Sequence, residues 1–195
     1  VLVPSVSMLN ELKKYNFKNL VVWNRGVNTE LFNPNKRDTN SKNTQLTYVG
    51  RVAIEKNIEE FLELKGNYNK IVVGDGPELQ KYINKYPEVN FVGVKTGQEL
   101  AKYYANADVF VFPSKTDTLG NVILEALASG TPIAAHPVTG PIDVLTDEKI
   151  NTLDNDLLQS IKKALKVKRL DCRNFTLNLT WGKSVTEFLE YMVKV

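Results

Sequence analysis

An open α/β fold with a mainly parallel, doubly wound sheet is the class this sequence predicts, and two observations predict it. Short apolar runs alternate with amphipathic segments along most of the chain, the pattern left by successive βαβ units. The runs are β-branched or aromatic and continuous rather than alternating, so both faces of each strand must be covered. At 195 residues the chain has room for one full domain with a sizeable core.

Taken in order, residues 1–25 read as a helix plus a strand, and 33–43, rich in Asn, Asp, Thr, Ser and Lys, as a surface loop or linker. Strands are predicted at 45–50, 70–74, 89–93, 108–112 and 131–135, each bounded by Gly or Pro. Between them, Asn57 with Glu60 and Thr96 with Glu99 have capping-box spacing, and Pro77 suits a first helical position. The helix over 121–129 is closed by Gly130 and then Pro132, a left-handed cap followed by a block to continuation. Near the end, Trp181, Val185, Phe188, Leu189 and Met192 share one helical face, which must pack on this domain or on another.

A hydrophobic fraction of 43% and a charged fraction of 24% exclude a disordered chain. The net charge of +3 is too small to argue for nucleic acid. The run Lys162, Lys163, Lys166, Lys168 and Arg169 reads as a solvated helix face, with an anionic membrane surface as the alternative. A single cysteine, Cys172, rules out an internal disulfide, and a reducing, cytoplasmic setting is expected. No apolar run reaches the roughly 20 residues of a transmembrane helix. The chain opens without methionine in what reads as the tail of a strand, so it is expected to be cut from a longer protein.

Two segments carry chemistry. The first, 50–57, leaves a strand and enters a helix, so Arg51 and Lys56 project into the crevice where open α/β sheets bind ligands. A planar guanidinium and a mobile ammonium together suit a pyrophosphate, although either could be a solvated loop charge. The second runs from Pro113 to Gly130. Gly120 admits a ligand close to the backbone, and the amides of Gly120, Asn121 and Val122 at a helix start make a complementary anion site. Glu125 lies on the same face one turn later and can accept two hydrogen bonds from vicinal hydroxyls such as those of ribose. Its neighbours Leu124, Ala126, Leu127 and Ala128 argue against a plain surface glutamate. Asp117 can meet another hydroxyl.

From Gly26 to Leu145 these residues resemble the C-terminal, donor-binding domain of GT-B glycosyltransferases of the large retaining group called family 4. The resemblance rests on an ordered set: Gly50-Arg51 with Glu55-Lys56-Asn57, Gly74-Asp75-Gly76-Pro77, Phe91-Val92-Gly93, Asp108 to Ser114, and Glu125 to Gly130. It implies a Rossmann-like sheet forming one GT-B half over 26–175. Residues 1–25 would then be the end of an N-terminal domain or interdomain segment, and 176–195 a crossover helix packing on that absent domain.

The resemblance implies transfer of a sugar, with retention, from a UDP or GDP sugar to an acceptor that is a lipid or glycan. Arg51 and Lys56 would clamp the diphosphate, and Glu125 the ribose. Asp117 would meet the donor sugar, with Gly50, Gly76, Leu119, Gly120 and Asn121 around the donor and backbone near Val94 and Lys95 against the base. Arg51, Lys56 and Asp117 would be catalytic. Asp117, Leu119 and Asn121 depart from the commoner residues of the family, which leaves the sugar open. No cofactor is expected beyond the donor substrate, and the transfer would be metal-independent, cytoplasmic or peripheral at the inner face of the membrane. Without its partner domain the chain is expected to bind nucleotide weakly and transfer sugar poorly or not at all.

Asp154-Asn155-Asp156 matches an Asp-x-Asp metal signature, but the apolar helical pattern after it makes it a helix N-terminus. His136, the only histidine, reads as a packed or loop residue. A dinucleotide-binding oxidoreductase is excluded because no Gly-x-Gly-x-x-Gly follows the first strand. A nucleotide-sugar epimerase of the same architecture and a non-catalytic binding fragment remain as alternatives.

Overall fold

In the computed structural model, which describes residues 1–38, 43–116 and 120–192, the chain begins with a two-stranded parallel ribbon, β1 (Leu2–Val3) and β2 (Val21–Val22), joined by helix α1 (Val6–Lys14). Ser5 caps α1 by accepting from the Met8 amide at 3.2 Å. The central sheet follows, with β3 (Thr44–Val49), β4 (Tyr68–Val73), β5 (Asn90–Phe91), β6 (Val109–Phe112) and β7 (Ile133–Ala135). Its order is β5-β4-β3-β6-β7, all parallel. The chain moves outward from β3 to β5, then crosses back to β6 on the other side of β3. The order therefore reverses between β3 and β6, where open α/β sheets leave a crevice at the carboxyl ends of the strands.

Helices cover both faces, as the continuous apolar strands require. On one face Leu46, Tyr48, Val109 and Val111 pack with α2 (Ile58–Leu62), α3 (Leu79–Lys85) and α7 (Leu157–Ala164), a core that includes Phe61, Tyr82 and Ile161. On the other, Phe110, Phe112 and Ile133 pack with α4 (Gly97–Asn106), α5 (Asn121–Ala128) and α8 (Arg169–Thr176), around Tyr104, Leu127 and Cys172. The short α6 (Pro141–Val144) and the long α9 (Trp181–Met192) complete the chain. Burial pushes the Cys172 thiol up to about 12, so it serves as a small core side chain.

All five predicted strands form. The outer two are shorter than expected, because β5 and β7 each pair on one side only. Thr131 belongs instead to the end of α5, where its amide bonds Ala126 O and the Gly130 amide bonds Leu127 O, each at 2.9 Å. Pro132, with no amide to offer, still accepts from Phe110 N at 2.8 Å.

Three cap expectations fail. Neither Asn57 nor Thr96 makes a side-chain cap bond: Asn57 turns toward other partners, and Glu99 pairs with Lys95 at 2.6 Å. Pro77 precedes α3 in a turn closed by Leu79 N to Gly76 O at 3.1 Å, so it is not the first helical residue. Of the loop expected over 33–43, residues 39–42 lie outside the described residues, and 33–38 are more than a loop. A 3-10 turn at Pro34–Lys36 is capped by Asn33, and Arg37 then anchors the segment on Ala107 O at 2.9 Å and Asp108 at 2.6 Å.

The basic run divides. Lys162, Lys163, Lys166 and Lys168 are exposed, as expected for a solvated face, but Arg169 turns inward. It donates to the carbonyls of Ala105 and Ala107 at 2.8 Å and of Ser129 at 3.2 Å, and to Thr131 Oγ1 at 3.1 Å. Burial and the nearby Arg37 push its pKa down to about 10, leaving it charged at neutral pH.

The two ends of the chain meet. Trp23 Nε1 donates to Ser184 O at 2.8 Å, and the Trp23 ring lies 5.5 Å from that of Phe188. So Phe188 packs within this chain, whereas Trp181, Val185, Leu189 and Met192 are exposed. Among the described residues, no helix is long and apolar enough to cross a membrane.

Candidate functional site

The turn after β3 and the turn before α5 lie side by side at the switch point, because β3 and β6 pair in parallel register with Leu46 opposite Val109 and Thr47 opposite Phe110. The first turn starts at Gly50 and is shaped by its own contacts. Tyr48 OH donates to Arg51 O at 2.7 Å, Val52 is fully buried, and its amide donates to Asp75 O at 2.8 Å. These bonds hold the backbone while leaving Arg51 outside, with its side chain 65% exposed. A 3-10 turn, Ile54–Lys56, follows, and Asn57 closes it in the left-handed region at φ 50°, ψ 30°. Lys56 is half-buried.

The loop after β4 lies flat on this turn. A Cβ on Gly76 would stand 2.2 Å from Val52 O, so only glycine lets the two backbones approach, and Glu78 N donates to that same carbonyl at 3.1 Å. Val94 and Lys95, beyond β5, lie at the same end of the sheet. Val94 is exposed, and Lys95 is drawn to Glu99.

Across the crevice, α5 begins at Gly120, whose φ of 65° and ψ of 75° place it in the left-handed region. Among the described residues no side chain caps this end, and the amides at the helix start lie at the positive end of the helix dipole. Asn121, at the first helical position, is exposed and its Oδ1 accepts from Arg25 at 3.4 Å. Asp117 and Leu119 lie outside the described residues.

Glu125 is half-buried, and its Oε2 accepts from Tyr104 OH at 2.8 Å. Tyr104 is fully buried against Phe32 and Phe110. Burial raises the Glu125 pKa, and the Tyr104 bond opposes that rise only in part. The sequence placed Glu125 among apolar neighbours and required a partner for it, but not which one. Tyr104, which supplies that partner, carries the one sequence signal for it, a hydroxyl on an otherwise apolar helix face.

A pH prediction follows. Folded Glu125 holds its proton more tightly than an unfolded glutamate, so between the two pKa values the folded state carries more protons. Across that window stability falls as pH rises, and it is level above Glu125's raised pKa. Glu125→Gln removes the buried charge but keeps an acceptor for Tyr104. Its Tm is expected to exceed that of the parent at neutral pH, with the gain closing as pH falls into the ordinary glutamate range. Thermal melts from pH 4 to 8 read this out, and a variant less stable than the parent at neutral pH would contradict it.

The Asp-x-Asp segment does what its helix pattern implied. Asp156 caps α7, accepting from Leu158 N at 2.8 Å, and Asp154 pairs with Lys163 at 2.9 Å. Among the described residues, no cluster of His, Cys, Asp and Glu could hold a metal ion. His136, expected to be a packed or loop residue, is buried and also bonds Glu60.

Residues 43–166 match the family described as Glycosyl transferases group 1. A GDP-mannose-dependent alpha-mannosyltransferase of Corynebacterium glutamicum is 35% identical over 167 residues, covering 80% of this chain and 40% of the relative. Sulfoquinovosyl transferase SQD2 of Arabidopsis thaliana is 36% identical over 148 residues, covering 67% of this chain and 28% of the relative. The chain thus spans well under half the length of these two relatives. Among solved structures, sucrose-phosphate synthase from Thermosynechococcus elongatus superposes with a TM-score of 0.87 at 24% identity, over 100% of this chain and 57% of that one. Anabaena HepE, solved with UDP and glucose, superposes at 0.79 and 16% identity, over 100% of this chain and 63% of that one. The chain belongs to the Glycosyl transferases group 1 family, and its parallel sheet, wound on both faces, is one Rossmann-like half of a GT-B fold.

Proposed function

We propose that this chain supplies the donor half of a retaining glycosyltransferase, binding a nucleoside-diphosphate sugar across the β3–β6 crevice. The observation that carries this reading is the pairing of two anion-seeking features on adjacent strand ends. The turn bearing Arg51 and Lys56 stands on one side and the start of α5 on the other. Asn57 Nδ2 ties the two together by donating to Pro113 O at 3.0 Å. A diphosphate between them meets a guanidinium, an ammonium and helix amides, while Glu125 on the inner face of α5 takes the ribose hydroxyls.

In the proposed transfer, the bond between the anomeric carbon and the diphosphate oxygen breaks and its electron pair leaves on the diphosphate. The acceptor hydroxyl oxygen bonds the same carbon on the same face, and its proton passes to the leaving diphosphate. Arg51, Lys56 and the α5 amides stabilise the charge that grows there, which is where preorganised donors have most effect. Asp117 is assigned to the donor sugar, Gly50, Gly76, Leu119, Gly120 and Asn121 to the walls around it, and the backbone at Val94 and Lys95 to the base.

GDP is the nucleotide to test first, since the Corynebacterium relative is GDP-mannose-dependent. An open cleft of about 760 Å³ lies beside Lys115, between α1 and the end of β7, and is lined by Met8, Pro137, Val138 and Ile142. Its apolar lining supports an acceptor with a lipid portion. Calorimetric titration of the chain with GDP and UDP tests the donor site. Binding of at least one, with a rise in Tm, is expected; a folded chain that takes up neither at millimolar concentration ends the proposal.

A further inference from the structure

His136, the one histidine, leaves β7 at the edge of the sheet and is 4% exposed, yet it reaches across the exit of β6. Its Nε2 stands 3.0 Å from Glu60 Oε2. The same carboxylate oxygen accepts from Asn57 Nδ2, and Lys115 Nζ lies 3.4 Å from it. Asn57 also donates to Pro113 O at 3.0 Å. One carboxylate on α2 therefore joins the connections that leave β3, β6 and β7.

Burial disfavours the charge on Glu60, but the hydrogen bonds from His136 and Asn57 outweigh it and hold the carboxyl below its ordinary range. Glu60 is thus an anion in place, and it holds Asn57 in turn. Asn57 lies in the left-handed region, which a residue other than glycine keeps only where its surroundings define it. The residue directly before it is Lys56.

We propose that His136 is a positioning residue for the diphosphate clamp: it orients Glu60, Glu60 fixes Asn57, and Asn57 holds the left-handed turn that presents Lys56. This rests on the reading that Lys56 meets the donor diphosphate. The imidazole touches no substrate; it acts through two side chains, so its loss must be felt at the β-phosphate and not at the rest of the nucleotide. A histidine that merely filled space would weaken all nucleotides alike.

The experiment measures the affinity of the chain for GDP and for GMP by calorimetry, and takes their ratio as the contribution of the β-phosphate. His136→Ala is expected to cut that ratio about tenfold, the size carried by one hydrogen bond to a charged group. GMP affinity should be unchanged. His136→Gln, whose amide N–H can reach Glu60 from the position of Nε2, is expected to restore most of the ratio. Glu60→Gln should lower it as His136→Ala does, and the double variant should be no worse than either single one, since both break the same relay.

A folded His136→Ala that keeps the parental ratio overturns the proposal, and so does a His136→Gln as impaired as the alanine variant. If His136→Ala does not fold, Glu60→Gln decides by the same ratio. A parent that binds GMP as well as GDP overturns the clamp and this inference together. A parent that prefers GDP while every variant keeps that preference overturns the inference alone.

Discussion

Replacing Arg51 and Lys56 together by alanine is expected to lower nucleoside-diphosphate affinity by roughly a hundredfold or more while leaving the fold intact. Each hydrogen bond from a charged group to a phosphate oxygen is worth about 1.5–3 kcal/mol, or about ten- to a hundredfold in affinity. Arg51 has no comparable role in stability. The contact between Arg51 and Glu55 is 3.4 Å long, with side chains 65% and 53% exposed, and such surface pairs contribute about 0–1 kcal/mol. Binding by the parent should also weaken as salt is raised, and the double variant should have lost most of that salt dependence. Calorimetry at two ionic strengths, with a thermal melt of each protein, measures all of this. Undiminished GDP and UDP affinity in the folded double variant would place the diphosphate elsewhere.

Arg169→Ala is expected to have the opposite profile, a large loss of stability at a position remote from the crevice. The guanidinium satisfies three carbonyls and a hydroxyl from three stretches of chain: the end of α4, the cap of α5 and the approach to β7. Truncation removes this donor from Ser129 O and Thr131 Oγ1 and leaves Ala105 O and Ala107 O to Arg37 alone. A buried polar group left unsatisfied costs about 1–3 kcal/mol, so losing several such bonds removes a large part of the roughly 5–15 kcal/mol that holds a typical domain together. A Tm lower by about 10 °C follows for a chain of this size. Arg169→Lys should recover only a fraction, because one ammonium cannot span acceptors that a planar fork reaches at once. Circular dichroism melts check both variants, and an alanine variant within about 2 °C of the parent would show that Arg37, which also reaches Ala105 O and Ala107 O, suffices.

Arg169 also shows where the reading of the sequence stops. It stands at the end of a basic run, and for the four lysines before it a solvated face is correct. Nothing local separates the arginine from them, since its acceptors lie 38 to 64 residues earlier. Asn57 and Glu60 have the spacing of a capping box, but Asn57 takes the carbonyl of Pro113, 56 residues on, and Glu60 takes His136, 76 residues on. The two side chains are drawn away from the helix amides because their tertiary partners join strand ends, while the Asn57 and Glu60 amides bond the carbonyls of Ile54 and Asn57.

What the sequence determined by itself is whatever depends on neighbours along the chain. The continuous apolar strands, bounded by Gly and Pro, require a covered parallel sheet. The Schellman end of α5 and the cap of α7 at Asp156 are written within a few residues. The pair of cations in one turn and the helix start after the other, on which the proposed donor site rests, are local features too. Only the tertiary structure decided that these turns meet at the β3–β6 switch, that Tyr104 orients Glu125, and that His136 stands behind Asn57. Those contacts arise where strand order brings distant segments together, and side chains that look like core or surface become partners only once the sheet is assembled.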